Sequence, residues 1–361
     1  WNVKEGKRYI SVGTEDRRYG DAHGGRVIVF NLKEKERDPR RVPAASPRNP
    51  SVHYKMKQLG ERVLPSAVFA ICPFMGSYLV VATGQKLVQL KIDSLTRKLV
   101  PGIEKSLRWP IHTLSACGSH IAVGGPKESL SFYTYMADSH SKQFAFVKSD
   151  RFSRFAVNCV AVDERTAIAT DGDNVFGLVN DPGEMSFMDQ FRNFASFFGE
   201  KVSRLQPGSM MHRFRSMTAI EAPFGGAEVG GRAGAAGREN DVLYGCSMLG
   251  SVFALQQVPV EMEERLEILQ KLMGERDGVG LILGNTHDEY RYPDRDESIW
   301  RGCVDGDFVS QYLLLPASEA AQVAARWNEL WRAARPLVAE SEPASSAADL
   351  ADWLIRLNER C

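Results

Sequence analysis

The sequence predicts a mainly β fold, a β-propeller of radially repeated short strands, followed by a small α-helical domain. Three observations carry that prediction. Short β-type runs separated by glycine-bearing turns fill the chain up to residue 257. They group into sets of about 40 residues each, a period that marks radial β repeats rather than a sandwich. From residue 258 onward, apolar residues recur at three- and four-residue spacing, which is the signature of helices. The expected organisation is a propeller domain over 1–257 and a helical domain over 258–361. The repeats contain neither Gly-His nor Trp-Asp dipeptides, so the propeller is expected to be a divergent, WD40-like one.

Arg8 to Thr14 reads as a strand with a small-residue end, and Gly25 to Leu32 as its partner across a polar loop. Lys33 to Pro50 is charged and carries prolines, so a solvated loop is expected. Ser66 to Phe74, Ser77 to Thr83 and Lys86 to Asp93 follow through tight connections at Met75-Gly76 and Gly84-Gln85, which makes one repeat. A second set runs through Ile111 to Ala116, His120 to Val123, Leu130 to Tyr135 and Gln143 to Lys148. A third runs through Phe155 to Val162, Thr166 to Thr170 and Val175 to Val179. Asp181 to Lys201 breaks the rhythm: Met185, Phe187, Met188, Phe191, Phe194, Phe197 and Phe198 recur at mostly helical spacing and predict an aromatic insertion near 181–201. Val202 to Glu221 is expected to hold the first strands of a fourth set. Residues 224–239, rich in glycine and alanine, predict a flexible excursion.

Val242 to Gly245 and Ser251 to Leu255 read as a last strand pair joined through Leu249-Gly250 and closed by Pro259. Met262, Leu266, Leu269 and Met273, with Ile268 and Leu272 beside them, share one face of a helix that Gly274 ends. Val304-Asp305-Gly306-Asp307 opens a second helix, in which Phe308, Val309, Tyr312 and Leu313 share a face. Either Asp305 or Asp307 is placed to accept from its first free backbone N–H groups. Helices over Ser318 to Ala334 and Ala347 to Asn358, separated by Pro336 and Pro343, complete the tail, with Ser346 and Asp349 as a capping box for the last.

Lysine plus arginine number 45, and so do aspartate plus glutamate. No overall field draws the chain toward nucleic acid or an acidic membrane, and any such contact has to be local. The six cysteines, Cys72, Cys117, Cys159, Cys246, Cys303 and Cys361, form no C-x-x-C pair, and four lie in or beside apolar strand runs. Reduced, mostly buried thiols in an intracellular compartment are expected, in place of a disulfide frame or zinc knuckle. No apolar run approaches the roughly 18 residues of a membrane span, and no signal peptide is visible. Beginning at Trp1 within a few residues of a strand, the chain reads as the C-terminal portion of something longer.

Val12-Gly13-Thr14, Gly25 to Phe30, Ala70 to Gly76, Leu79 to Leu87 and Val304-Asp305-Gly306-Asp307 resemble, in order and spacing, the C-terminal region of a known family. That region is shared by the large subunit of the cleavage and polyadenylation specificity factor, the propeller subunit of the splicing factor three-b complex and the large subunit of damaged-DNA-binding protein. The resemblance runs from residue 8 to residue 335; its motifs are specific in their order and not singly. Leu266 to Leu272, Asp305 to Ala321 and Thr83 to Lys86 are most similar to the polyadenylation factor subunit. Ala70 to Phe74 and Lys127 to Leu130 lean toward the splicing subunit, and Val27 to Phe30 with the length of the tail toward the DNA-damage subunit. The aromatic insertion and the Gly/Ala-rich excursion match none of them.

In that family, three propellers and a helical domain form a non-catalytic scaffold. The resemblance therefore implies most blades of the last, seven-bladed-type propeller with its first blades lacking, and the helical domain behind it. It implies no enzyme and no cofactor. The implied partners are other subunits of a large nuclear complex that processes pre-mRNA, with RNA contact local or indirect and no membrane. The alternative implied by the same resemblance is an adaptor subunit of a cullin-type ubiquitin ligase in DNA-damage repair.

Asp171-Gly172-Asp173-Asn174 begins like a calcium loop but lacks the later acidic ligand, and a strand-connecting turn explains it. The glycines from Gly225 to Gly237 have no following Gly-Lys-Ser/Thr, so they read as loop, not phosphate cradle. No two histidines have metal-ligand spacing, and no Ser/His/Asp set stands out, so no metal or catalytic residue is nominated. His212-Arg213-Phe214-Arg215 is the one basic-aromatic cluster suited to touching a nucleic acid backbone or stacking a base, against a solvated strand end as the plainer reading. Val304, Asp305, Gly306 and Asp307 need no chemistry beyond a capped helix start. Trp327, Trp331 and Trp353 suit a core; with Trp300 they are also the candidates for anchoring a partner, because aromatic residues dominate interface energetics.

Overall fold

The computed structural model describes residues 2–3, 7–18, 21–34, 54–93, 96, 98–137, 142–150, 152–180, 191–207, 242–258, 260–276, 284–291, 302–335 and 344–358. The chain divides into two compact units, Trp1–Asp171 and Gly172–Cys361. In the first, the strands of each sheet pair with their neighbours in sequence, antiparallel throughout. One sheet holds β1 (Asn2–Val3), β2 (Lys7–Arg18), β3 (Asp21–Glu34) and β4 (Tyr54–Leu64); the next holds β5 (Val68–Phe74), β6 (Tyr78–Thr83), β7 (Lys86–Ile92) and β8 (Leu99–Ser106). A third holds β9 (Thr113–Cys117), β10 (His120–Gly124), β11 (Leu130–Ala137) and β12 (Lys142–Ser149), and the unit ends with the hairpin β13 (Asn158–Ala161) to β14 (Thr166–Thr170).

Successive sheets pack face to face, and β6 shows why its sequence is a continuous apolar run. Leu79 and Val81 join Val27 and Val29 in one core, while Val80 and Ala82 point the other way, into a core with Ile121, Val123 and Phe144. A strand covered on both faces needs apolar residues at every position. Each such fully buried aliphatic side chain contributes about 1.5–3 kcal/mol. Where inner strands of neighbouring sheets adjoin, side-chain hydroxyls serve the backbone: Cys159 N–H donates to Thr113 Oγ1 (3.2 Å) and Ala161 N–H to Ser115 Oγ (2.9 Å). The tight turns after β6 and β9 each place a glycine in the left-handed region, Gly84 at φ +56° and Gly118 at +57°.

Two outer strands, β4 and β8, escaped the sequence reading, which closed a repeat after three strands. The side chains of β8 alternate between covered and exposed positions, and β4 carries Lys55, Lys57, Glu61 and Arg62, with Glu61 paired to Arg26 at 3.1 Å. Charged side chains and Pro101-Gly102 interrupt the apolar pattern in these segments, yet an outermost strand with one face in water accepts them.

The second unit contains the hairpin β15 (Asn174–Asn180) to β16 (Phe191–Phe197) and a three-stranded sheet of β17 (Val202–Pro207), β18 (Val242–Ser247) and β19 (Val252–Gln256). Phe191–Phe197 corrects the expectation of helical spacing. It pairs with β15 residue for residue, from Asn174 opposite Phe197 to Asn180 opposite Phe191. Three-residue intervals between phenylalanines fit a helix, but phenylalanine favours strands and a partner strand stands alongside.

Helices follow: α1 (Val260–Gly274), α2 (His287–Arg291), α3 (Gly306–Ser310) running into a 3₁₀ turn at Gln311–Leu314, α4 (Ala317–Ala334) and α5 (Ala347–Asn358). Their apolar faces form one core from Leu266, Leu269 and Met273 of α1, Phe308, Val309 and Tyr312, Val323 and Trp327 of α4, and Leu350, Trp353 and Leu357 of α5. Ser346 and Asp349 cap α5 reciprocally: Ser346 N–H donates to Asp349 Oδ2 (2.8 Å) and Asp349 N–H to Ser346 Oγ (3.2 Å). Among the described residues no helix is long and apolar enough to cross a membrane.

Candidate functional site

Asp305, from the helix-opening motif, is the centre of a polar junction in the second unit. It caps α3: its Oδ1 accepts from Phe308 N–H at 3.1 Å, while Asp307 lies in the first turn. Oδ2 accepts from Arg291 Nε (2.7 Å) and lies 3.1 Å from His287 Nε2. The Asp305 N–H donates to Gln270 Oε1 of α1 at 2.8 Å, and Arg291 Nη1 donates to the Phe197 carbonyl at 2.9 Å. One residue thus gathers α1 through its backbone N–H and α2 and α3 through its carboxylate, and Arg291 carries the connection to the end of β16. The sequence prepares α2 through Thr286, whose N–H donates to Glu289 Oε2 (2.9 Å) while Glu289 N–H returns a bond to Thr286 Oγ1 (3.3 Å). His287 stacks on Phe308 with ring centroids 3.9 Å apart. Its Nδ1 is buried without a hydrogen bond, with Asp288 Oδ1 3.5 Å away. Burial alone raises the Asp305 carboxyl, but the His287 hydrogen bond, the Arg291 charge and the Phe308 N–H outweigh it and hold the group at about 2. Asp305 therefore keeps its negative charge at neutral pH, balanced by the Arg291 guanidinium, and the junction acts as a fastener.

The three described tryptophan candidates belong to the helical core. Trp327 and Trp353 are almost wholly buried; Trp327 Nε1 donates to the Arg265 carbonyl at 3.0 Å, and Trp331 stacks on Trp327 beneath the Arg265 guanidinium. Trp300 and His212, Arg213, Phe214 and Arg215 lie outside the described residues, as do residues 224–239. Of the cysteines, Cys72 and Cys159 are buried, Cys117 and Cys303 half-buried and Cys246 exposed, all as free thiols. Burial pushes Cys72 and Cys159 up to about 12, so both keep their protons at neutral pH. Among the described residues no group of three His, Cys, Asp or Glu side chains is placed to hold a metal ion.

The first unit carries a different feature, a row of solvent-facing rings. Phe69, the second residue of β5, is 48% exposed, and its ring lies nearly parallel to His112 at 5.8 Å. His112 in turn meets the edge of Phe155, 43% exposed, at 5.0 Å. Buried residues stand close by in the chain, Ala67 two positions before Phe69, Ile111 just before His112 and Ala156 just after Phe155. The three residues stand at or just before the first strand of three successive strand sets, at a constant interval of 43 residues. Trp109, with the Lys127 ammonium 4.7 Å from its ring, and Val157 are also exposed. Aromatic surface on this scale, held in place and left in water, supplies binding energy to whatever covers it. Sequence reasoning found the period but not the rings. Aligning the repeats would have revealed them, since the same interval from Phe155 leads to Phe198, whose ring packs on Phe253 at 4.1 Å in the second unit.

No curated protein sequence matches this chain. The family model of the CPSF A subunit region matches residues 2–314, from β1 to the 3₁₀ turn that follows α3. With the greater part of its length matched, and its strand sets and capped helix motif inside the match, the chain belongs to the CPSF A subunit region family.

Proposed function

We propose that this chain is a non-catalytic scaffold segment of a nuclear pre-mRNA processing complex, most similar in role to the large subunit of the cleavage and polyadenylation factor. Its successive sheets form blades of a seven-bladed-type propeller over 1–257, followed by a helical domain over 258–361 whose helices share one core. The observation that carries the reading is the row Phe69, His112 and Phe155, which offers partners a rigid aromatic surface built by three successive strand sets. Interface anchors are characteristically aromatic side chains on well-supported backbone. Family membership supports the scaffold role, since its members are generally subunits of multi-protein complexes.

The test is affinity purification of the tagged chain from cells, with and without Phe69→Asp and Phe155→Asp, followed by identification of the bound subunits. Polyadenylation or splicing subunits that are retained by the parent and lost from the variants support the reading. A cullin in their place supports the ubiquitin-ligase adaptor, and retention by both variants removes the row from the account.

A further inference from the structure

We propose that Ser153 is a phosphorylation site whose modification breaks one tie of the loop carrying Phe155 and switches the aromatic row off; the switch rests on the docking role of that row. Residues 152–157 join β12 to β13 without regular structure, and Ser153, Phe155 and Val157 are exposed along them. Two hydrogen bonds tie this loop to the turn between β10 and β11. Ser153 Oγ donates to the Lys127 carbonyl at 2.9 Å, and Ala156 N–H donates to the Gly125 carbonyl at 3.1 Å. Lys127, whose carbonyl takes the first bond, also holds its ammonium over Trp109. Arg154 lies over the Phe152 ring at 5.1 Å and 3.9 Å from Asp171. Ser153 is therefore exposed on an irregular loop, and the sequence from Arg151 to Phe155 reads Arg-Phe-Ser-Arg-Phe, with an arginine on each side of the serine. A serine/threonine kinase that selects basic flanks accepts such a segment.

In the transfer, Ser153 Oγ attacks the γ-phosphorus of a nucleoside triphosphate. The new Oγ–P bond forms as the bond from that phosphorus to the β–γ bridging oxygen breaks. The nucleoside diphosphate leaves with the electron pair, and the hydroxyl proton passes to the kinase's base. The ester oxygen then has no proton to donate, so it faces the Lys127 carbonyl as a second acceptor and that tie cannot persist. The phosphate also brings a charge of about −1.5 to −2 and three strong acceptors beside the row. A charge-assisted bond to phosphate outweighs a cation–π contact, so the Lys127 ammonium leaves Trp109. The loop keeps the Ala156 N–H bond to the Gly125 carbonyl and the Val157 N–H bond to the Thr170 carbonyl (2.8 Å), but Phe155 now stands next to a dianion that an apolar partner would have to desolvate.

The experiment treats the full chain with ATP, magnesium and an arginine-directed serine/threonine kinase. Phosphopeptide mass spectrometry locates the phosphate, and Trp109 emission is followed as the difference between the parent and Trp109→Phe. Expected are phosphate on Ser153, its loss in Ser153→Ala, and a Trp109 emission change that appears only with the phosphate. A folded chain left unmodified at Ser153, or modified there with Trp109 emission unchanged, overturns the proposal. A phosphorylated chain that recovers the same subunits as the unmodified one overturns the switch and leaves the docking role standing, because Phe69→Asp tests that role alone.

Discussion

Asp305 accepts from or faces three donors, and its own N–H engages a fourth group, so removing its carboxylate strands more than one partner. Asp305→Ala leaves Arg291 and buried His287 uncompensated and should cost about 3 kcal/mol in urea unfolding. The acid limb follows from the same geometry. The folded carboxyl lies at about 2 instead of the usual 3.8, so between those values the unfolded chain binds more protons and stability rises with pH. The contribution, about 2 kcal/mol, is complete at neutral pH and is lost as pH falls through about 2. Asp305→Asn should flatten that limb in acid titrations followed by circular dichroism; an unchanged acid limb would contradict the assignment. That a carboxylate caps this helix was legible, because a cap has a fixed offset from its helix, but the sequence left Asp305 and Asp307 as alternatives and the structure selects Asp305. Its partners were not: His287 lies 18 residues upstream and Arg291 14, and ion pairs obey no spacing rule.

Strands and helices can be tested where the backbone leaves no room. Gly25 in β3 has Thr14 O, Ser66 O and Val68 N at 2.6, 2.7 and 2.9 Å from where a Cβ would stand. All three are backbone atoms and cannot rotate away. Gly25→Ala should therefore destabilise the chain by about 1–3 kcal/mol, read as a lower midpoint in thermal unfolding. Ser346→Ala breaks the reciprocal cap of α5 and should cost about 1 kcal/mol, with faster amide exchange confined to the first turn of that helix. The middle strands β6 and β10 were legible because burial on both faces forces uninterrupted apolar runs. The outer strands divided by composition: β12 was found through Phe144, Ala145, Phe146 and Val147, whereas β4 and β8 hid behind charges and Pro101-Gly102. In β16 the aromatic residues were visible and only their period misled, since a three-residue interval does not by itself choose between helix and strand.

A body of serial sheets and a helical cluster with a single apolar core suits holding other molecules at fixed geometry, because its surfaces vary without disturbing what lies beneath. Charge balance gives the same indication. With 45 residues of each sign, long-range attraction cannot gather partners, so recognition has to come from local surface. Phe69, His112 and Phe155 supply that surface, and replacing the exposed Phe69 or Phe155 should leave unfolding stability within about 0.5 kcal/mol of the parent while binding falls. The decisive observation is a density map of the complex assembled on this chain. The account predicts a segment of a partner subunit covering the rings of Phe69, His112 and Phe155. A map in which every partner is held elsewhere and those three rings remain in water would contradict it.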